Sequence, residues 1–99
     1  MKISVLSLAQ RDLKEIHLYL TEYGIEPPRK FRDSFAKFCT LVVDMPYMYA
    51  AYEHNSNYRK AVILYDYLVF YQVDEGKSEV MIYRILHSKR DAGALLNNS

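Results

Sequence analysis

The chain switches between two hydrophobic periods, and each period predicts a different kind of element. Residues 58–64, 67–73 and 79–87 are rich in β-branched and aromatic residues and are separated by short polar turns. Runs of this composition favour the strands of an antiparallel meander. The turn at 74–77 contains Gly76, a residue that suits a hairpin. Both faces of the last run are largely apolar, so we expect it at the centre of the sheet.

One charged residue stands out within the run 79–87. Strict alternation places Val80, Ile82 and Leu86 on one face of the strand and Met81, Tyr83 and Ile85 on the other. Arg84 falls on the face of Ile82 and Leu86. A buried guanidinium without a partner is very costly, so Arg84 is expected to reach a sheet edge, an acid or a ligand.

The helical period appears before the meander. Residues 2–6 alternate as a short strand, and residues 8–23 then form the first predicted helix. Ser7 and Gln10 fit a capping box at its start, and Asp12 lies in the first turn, where the helix dipole favours an acid. The apolar positions recur at helical spacing: Ala9, Leu13, Ile16 and Leu20.

A second helix follows a short connection at Gly24. Pro27 and Pro28 suit its first turn, and Pro46 ends it. Its apolar residues form one seam that is expected to pack in the core: Phe31, Phe35, Phe38, Val42 and Met45. The short connection predicts an antiparallel helical hairpin.

Two segments complete the predicted domain. The loop at 47–57 contains three tyrosines, which either form a functional flap or fold back onto the domain. Ser88 and Asp91 fit a cap for a short final helix through 95–96, which Gly93 weakens. The whole pattern predicts a single α+β domain over residues 1–99, in the order β-α-α-β-β-β-α. Its helical hairpin packs on one face of an antiparallel meander sheet.

Composition narrows the function classes. The net charge is only +1, from 13 basic and 12 acidic residues, whereas proteins that grip phosphates usually show a clear basic excess. Ten tyrosines in 99 residues suit an interaction surface. One cysteine, Cys39, permits no internal disulfide, and we find neither a signal peptide nor an apolar run of roughly 20 residues. These features predict a soluble cytoplasmic protein.

The predicted topology and a few side chains resemble a known superfamily. Arg59 lies on the second predicted strand and Tyr71 on the third, and residues 84–91 read Arg-Ile-Leu-His-Ser-Lys-Arg-Asp. Together these features resemble the RelE/ParE superfamily of toxins from bacterial type II toxin–antitoxin systems. The ending at 84–91 is similar to the arginine–apolar–apolar–histidine–x–x–arginine–aspartate ending of the ParE-like branch.

The resemblance implies a toxin that inhibits DNA gyrase through protein–protein contact. It implies a cognate antitoxin as the neutralising partner, within a dimer or a toxin–antitoxin hetero-oligomer, and roles in stress response and plasmid maintenance. It implies no cofactor, no metal and no membrane partner. The candidate target-binding residues are Arg59, Arg84, His87 and Arg90.

The resemblance leaves two alternatives open. A RelE-like member would cut mRNA on the ribosome, and such cleavage needs a base, an acid and a cation at one phosphate. Arg59, Arg84 and Arg90 are the candidate cations, His87 the candidate acid, and Glu53 or His54 the candidate base. An inactive member would bind antitoxin and poison nothing. The ending and the balanced charge favour the gyrase-directed toxin.

Several of these residues also have a purely structural interpretation. His87 suits a cap or hydrogen-bond partner where the last strand meets the final helix. Arg90 and Asp91 suit a salt bridge or contacts at the start of that helix. Lys60 and Lys89 are most simply solvated charges.

Overall fold

The predicted order of elements is confirmed by a computed structural model, which describes residues 1–90 and 92–97. The elements are β1 (Lys2–Val5), α1 (Ser7–Thr21), α2 (Glu26–Asp44), β2 (Arg59–Ile63), β3 (Tyr67–Asp74), β4 (Glu79–His87) and α3 (Ala92–Asn97), with a single 3₁₀ turn at Leu64–Asp66. Within these two ranges, no helix has both the length and the apolar character needed to cross a bilayer.

The sheet has four strands in the order β1-β4-β3-β2. β2, β3 and β4 form the predicted antiparallel meander. β1 adds to the outer edge of β4 and runs parallel to it, so the sheet is mixed rather than purely antiparallel. Parallel neighbours need a long crossover, and the intervening helices and strands supply one. β4 is therefore internal, as its two apolar faces predicted.

A β-bulge interrupts β4. Phe70 of β3 pairs with Arg84, whereas the next residue, Tyr71, pairs with Ile82. Tyr83 is thus the extra residue on β4. An extra residue in one strand shifts the pleat and bends the strand locally.

The bulge makes the predicted faces of β4 wrong beyond Tyr83. Ile85 lies in the same core as Ile82, on the helix side of the sheet, although alternation placed them on opposite faces. Leu86 lies on the other side, in the cluster against which Tyr83 packs. Alternation assumes an unbroken pleat, and nothing in the residue types reveals the insertion.

The main core lies between the sheet and the two helices. The buried residues that meet there include Ala9, Ile16, Leu20, Phe31, Phe38, Val42, Val69, Tyr71, Val80, Ile82 and Ile85. The predicted seam of α2 is therefore confirmed for its first four positions, with Phe35 partly buried. Met45 is the exception at 49% exposed, because α2 ends at Asp44 and Met45 leaves helical geometry.

The start of α1 corrects the predicted capping box. Leu6 is the N-cap residue and no side chain caps the helix. The backbone N–H of Leu6 still donates to Ile82 of β4, so strand pairing continues to the residue before the helix. The Gln10 amide nitrogen instead donates to the Val5 carbonyl at 2.8 Å. Ser7 is therefore already inside the helix.

The turn that contains Gly76 differs from expectation in its backbone geometry. Gly76 does not have positive φ; the left-handed residue of its turn is Ser78, at φ 51°. The β2–β3 turn contains two consecutive left-handed residues, Tyr65 at φ 63° and Asp66 at φ 60°. Two such residues suit the twist of a tight hairpin, but the conformation is costly for a side chain as large as tyrosine.

A second, smaller core lies on the face of the sheet opposite α1 and α2. We call this face the open face. The second core contains Tyr52, Tyr58, Phe70, Leu86, Ala92 and Leu96. α3 and the 47–57 loop supply this cover, and Tyr49 of the same loop packs against the main core. Most loop tyrosines therefore fold back, while Tyr47 is 48% exposed. The predicted contributions of Asp91 to a helix cap and a salt bridge lie outside the described residues.

Candidate functional site

Arg84 is clamped to α1 by a buried carboxylate. Its Nε and Nη2 atoms donate to the two Asp12 carboxylate oxygens at 2.8 and 3.0 Å. The backbone N–H of Ile85 donates to the same carboxylate at 2.9 Å. Asp12 is only 5% exposed. The hydrogen bond to Asp12 raises the pKa of Arg84. Of the three possibilities predicted for Arg84, the structure shows an acid partner, Asp12.

Sequence reasoning missed this role of Asp12, although a signal for it was present. Asp12 lies between Ala9 and Ile16 on the apolar face of α1, where it is three residues after one and four before the other. An acid on an apolar helix face needs a partner, just as a buried arginine does. The bulge in β4 places Arg84 and Ile85 against this helix together.

Arg59 begins β2 and lies away from His87. It pairs with Tyr71 on β3, whereas His87 pairs with Tyr67, a separation of roughly 13 Å along the strand. The Arg59 guanidinium donates to the Tyr49 carbonyl at 2.7 Å. It also lies 4.7 Å from the centre of the Tyr47 ring. These contacts hold Arg59 against the loop that precedes β2.

Tyr71, the other strand residue in the resemblance, is a structural anchor. Its ring is fully buried and packs edge-on against Phe38 at 5.7 Å. Its hydroxyl donates to the Pro46 carbonyl at 2.8 Å, which ties the end of α2 to the sheet. Burial raises the pKa of Tyr71 to about 12, so the hydroxyl remains a donor at neutral pH.

His87 ends β4 beside the helical hairpin. Its ring meets Tyr67 edge to face at 5.2 Å. The backbone N–H of Lys89 donates to His87 Nδ1 at 3.2 Å, so neutral His87 carries its proton on Nε2. His87 therefore closes the turn after β4, as its structural interpretation predicted. It also borders a cavity of about 480 Å³ that Glu15, Tyr19 and Arg90 help to line.

An exposed aromatic surface continues from this cavity. A neighbouring cavity of about 360 Å³ is lined by Tyr19, Tyr23, Tyr65, Tyr67 and His87, among others. The Tyr19 and Tyr23 rings are 5.4 Å apart, and these residues are 52% and 64% exposed. Contiguous exposed apolar side chains of this kind mark interaction sites. We call this group the tyrosine surface.

A separate cleft lies on the open face of the sheet. Glu53, His54, Lys60 and Arg90 all line it, and its volume is about 580 Å³. Arg90 also lines the cavity beside His87. Of the predicted site residues, Arg90 is thus the one that borders both.

The structure does not gather the candidate nuclease residues at one point. Arg84 is bound to Asp12, and Arg59 is held by the loop before β2. Glu53 and His54 line the open-face cleft, whereas His87 borders the cavities beside the helical hairpin. A base, an acid and a cation that act on one phosphate have to surround it. The candidate residues therefore occupy separate places on the protein, and Arg90 borders two of the cavities.

Comparison with known proteins places the chain in a family. The ParE toxin family of type II toxin–antitoxin systems, parDE, matches residues 3–92. A solved structure of the chromosomal ParDE toxin–antitoxin system from P. aeruginosa is similar in fold, with a TM-score of 0.62, 16% identity and coverage of 88% of this chain and 95% of that chain.

The isolated E. coli RelE toxin is similar in fold as well. It gives a TM-score of 0.60 and 16% identity, and the match covers 98% of this chain and 94% of that chain. Comparison with curated proteins finds no significant match. The match of the ParE family to nearly the whole chain shows that this protein belongs to the ParE toxin family, within the RelE/ParE superfamily.

Proposed function

We propose that the protein inhibits DNA gyrase by direct protein–protein contact and that a cognate antitoxin neutralises it in the cytoplasm. The observation that carries the proposal is the ParE family match over residues 3–92, which includes the whole 84–91 ending. A net charge of +1 supports it, since a protein that docks on ribosomal RNA needs a basic excess.

The dispersed candidate residues support binding rather than chemistry. Protein contact can use separate groups over a wide surface, whereas cleavage needs them at one point. Of the four candidate target-binding residues, we assign contact roles to His87 and Arg90, which border open cavities. We assign Arg84 a role in stability rather than in contact, because Asp12 binds both its side chain and the next backbone N–H. Arg59 contributes from the start of β2, away from His87.

The antitoxin is assigned the tyrosine surface. Tyr19, Tyr23 and Tyr65 expose rings there. A partner segment that folds on binding covers such a surface by wrapping around the domain, partly as a helix. The toxin and antitoxin then form a hetero-oligomer.

A pair of assays tests the proposal. The first measures supercoiling by purified gyrase with the toxin added, and the second measures mRNA cleavage on programmed ribosomes. Each uses the wild type and His87→Gln, whose folding is checked by circular dichroism. We expect inhibition of supercoiling without mRNA cleavage, and His87→Gln should stay substantially inhibitory because glutamine keeps hydrogen-bonding capacity and approximate shape.

Two other results would contradict the proposal. Ribosome-dependent cleavage by the wild type, lost in the folded His87→Gln variant, would assign the RelE-like activity, since removal of an acid or base costs on the order of 10²–10⁴ in rate. Antitoxin binding without either activity would assign an inactive family member.

A further inference from the structure

The smaller cavity of the tyrosine surface, which we call the tyrosine pocket, is held in shape by contacts with the rest of the fold. Its volume of about 360 Å³ lies within the usual range for ligand sites. Tyr67 is only 6% exposed and packs edge-on against Phe31 of α2 at 5.1 Å. Tyr19 of α1 and Tyr23, just after this helix, share a hydrogen bond of 3.2 Å between their hydroxyls. Several of the lining rings are therefore in place before a ligand binds.

Tyr65 reaches the same pocket from a strained turn. Its φ is 63°, and the left-handed region is costly for so large a side chain. The Leu64 backbone N–H donates to the Ser34 hydroxyl of α2 at 3.1 Å. On the other side, the Ser88 backbone N–H donates to the Asp66 carbonyl at 2.9 Å. Strained residues that the surrounding structure holds in this way cluster at binding sites, so the half-exposed Tyr65 ring indicates a ligand contact.

The pocket has an aromatic lining without formal charges, and two acids follow or precede its tyrosines in the sequence. None of its described lining residues is a lysine, an arginine or an acid, and the part of the chain outside the described ranges contains no lysine or arginine. Lys89 and Arg90 line the adjoining cavity instead. Glu22 and Asp66 are exposed, and no described residue forms an ion pair with either carboxylate. Aromatic faces and unpaired carboxylates both favour a positively charged ligand.

The tyrosine hydroxyls add hydrogen-bond acceptors to this site. The hydrogen bond to Tyr19 raises the pKa of Tyr23, and the nearby charge of Glu22 adds to this effect. Burial raises the pKa of Tyr67. These phenols therefore keep their protons at neutral pH. A phenolic oxygen has a second lone pair when one is used, so the paired hydroxyls can still accept from a ligand.

We propose that the tyrosine pocket binds the guanidinium group of an arginine side chain that a partner protein presents. A guanidinium is planar, stacks on aromatic faces and has several donors for the phenolic oxygens. Its charge also complements Glu22 and Asp66. An ammonium group is more strongly hydrated and has no flat face, so arginine is favoured over lysine. The identification of the partner as the antitoxin rests on the function proposed above.

An NMR titration with Nα-acetyl-arginine amide tests the proposal. The toxin carries ¹³C-labelled tyrosine rings, and their resonances are followed in low-salt buffer as the amide is added. Nα-acetyl-citrulline amide has nearly the same shape without the charge, and Nα-acetyl-leucine amide is an apolar ligand. Both should bind about tenfold more weakly than the arginine amide, as expected for the loss of two or three exposed cation–π contacts. The resonances that should shift saturably with the arginine amide are those of Tyr19, Tyr23, Tyr65 and Tyr67.

Tyr65→Gly separates binding from folding. Glycine adopts left-handed φ without steric cost, which offsets its greater freedom in the unfolded chain, so the variant should melt at about the same temperature as wild type. It should bind the arginine amide about threefold more weakly, because one exposed cation–π contact is lost. Tyr23→Leu, which keeps an apolar side chain at an exposed position, should have the same effect. The control is Tyr47→Ser, at an exposed tyrosine beside Arg59, and its affinity should equal that of the wild type.

Several results would overturn the proposal. Absence of saturable shifts in the folded wild type would exclude the site. Equal or tighter binding of the leucine amide would show an apolar pocket, and equal binding of the citrulline amide would show that charge has no part. Unchanged affinity in folded Tyr65→Gly and Tyr23→Leu would place the arginine amide elsewhere. The titration contains neither antitoxin nor gyrase, so its outcome and that of the supercoiling assay can succeed or fail separately.

Discussion

The two faces of the sheet use arginine differently. On the helix side, Arg84 is held by Asp12 in a bidentate pair and its neighbour Ile85 donates to the same carboxylate. On the open face, Arg90 lines a cleft and is exposed to solvent. Both arginines belong to the same short segment, residues 84–91. Two residues of one type in one motif thus differ in environment, since Arg84 is buried in an ion pair and Arg90 is exposed.

The difference follows from burial. Arg84 and Asp12 lose water on folding, and their hydrogen bonds together with the Ile85 N–H compensate for that loss. Removal of one partner leaves an uncompensated buried charge. Arg90 keeps its water, so its removal changes what the surface attracts and leaves the fold unchanged.

Removal of the Asp12–Arg84 ion pair gives the largest expected effect on the free energy of unfolding. Arg84→Met leaves Asp12 buried without its cation and should lower the free energy of unfolding by about 3–5 kcal/mol. Urea denaturation measures the change. Asp12→Leu combined with Arg84→Met should recover part of the loss, because no charge remains buried. Equal stability of Arg84→Met and wild type would show that the clamp does not contribute to the fold.

The aromatic seam of α2 gives an effect of similar size. Phe38 is 2% exposed, so Phe38→Ala should cost about 3–5 kcal/mol. Phe35 is only partly buried, so Phe35→Ala should cost less. Thermal and urea unfolding compare the two, and toxicity should fall only as folded protein is depleted. A soluble, stably folded Phe35→Ala protein without toxicity would reveal a functional role for the seam.

Alkaline pH should lower the stability of the fold, in part through two groups on the helix side. Burial raises the pKa of Cys39 from 9.0 to about 11 and that of Tyr71 from 10.0 to about 12. A raised pKa means that the neutral form is favoured in the fold, so this stability is complete below about pH 9 and is lost as pH rises toward 12. Melting temperature measured against pH should fall in that window.

Cys39→Ala tests the lower part of the same pH range. It should flatten the decline between about pH 9 and 11, while the decline toward pH 12 that belongs to Tyr71 remains. An unchanged pH profile in Cys39→Ala would assign the loss of stability to other groups.

The antitoxin should act mainly through the tyrosine surface and raise the melting temperature by mass action. Tyr23→Ser removes one exposed ring of that surface and should reduce the thermal shift at a fixed antitoxin concentration. Tyr47→Ser, at another exposed tyrosine, is the matched control. An unchanged melting temperature at saturating antitoxin would contradict the proposed binding mode.

Sequence periodicity predicted the elements well and the site less well. The seam of α2 and the internal position of β4 follow from local patterns of apolar residues. The Asp12–Arg84 pair joins residues on α1 and β4, and it depends on a bulge at Tyr83 that alternation cannot show. The open-face cleft likewise combines Lys60 and Arg90 from separate segments. Contacts of long sequence separation are set by tertiary packing rather than by local spacing.

The central claim is that Arg84 has a structural role and Arg90 a contact role. The most direct test measures supercoiling inhibition per folded molecule for Arg84→Met and Arg90→Met. The fraction folded comes from urea denaturation of the same samples. We predict that Arg90→Met stays as stable as wild type and inhibits gyrase less. Inhibition by Arg84→Met should fall only in proportion to its folded fraction. A stable Arg84→Met protein without inhibition, or an Arg90→Met protein that unfolds while its folded molecules inhibit fully, would contradict the account.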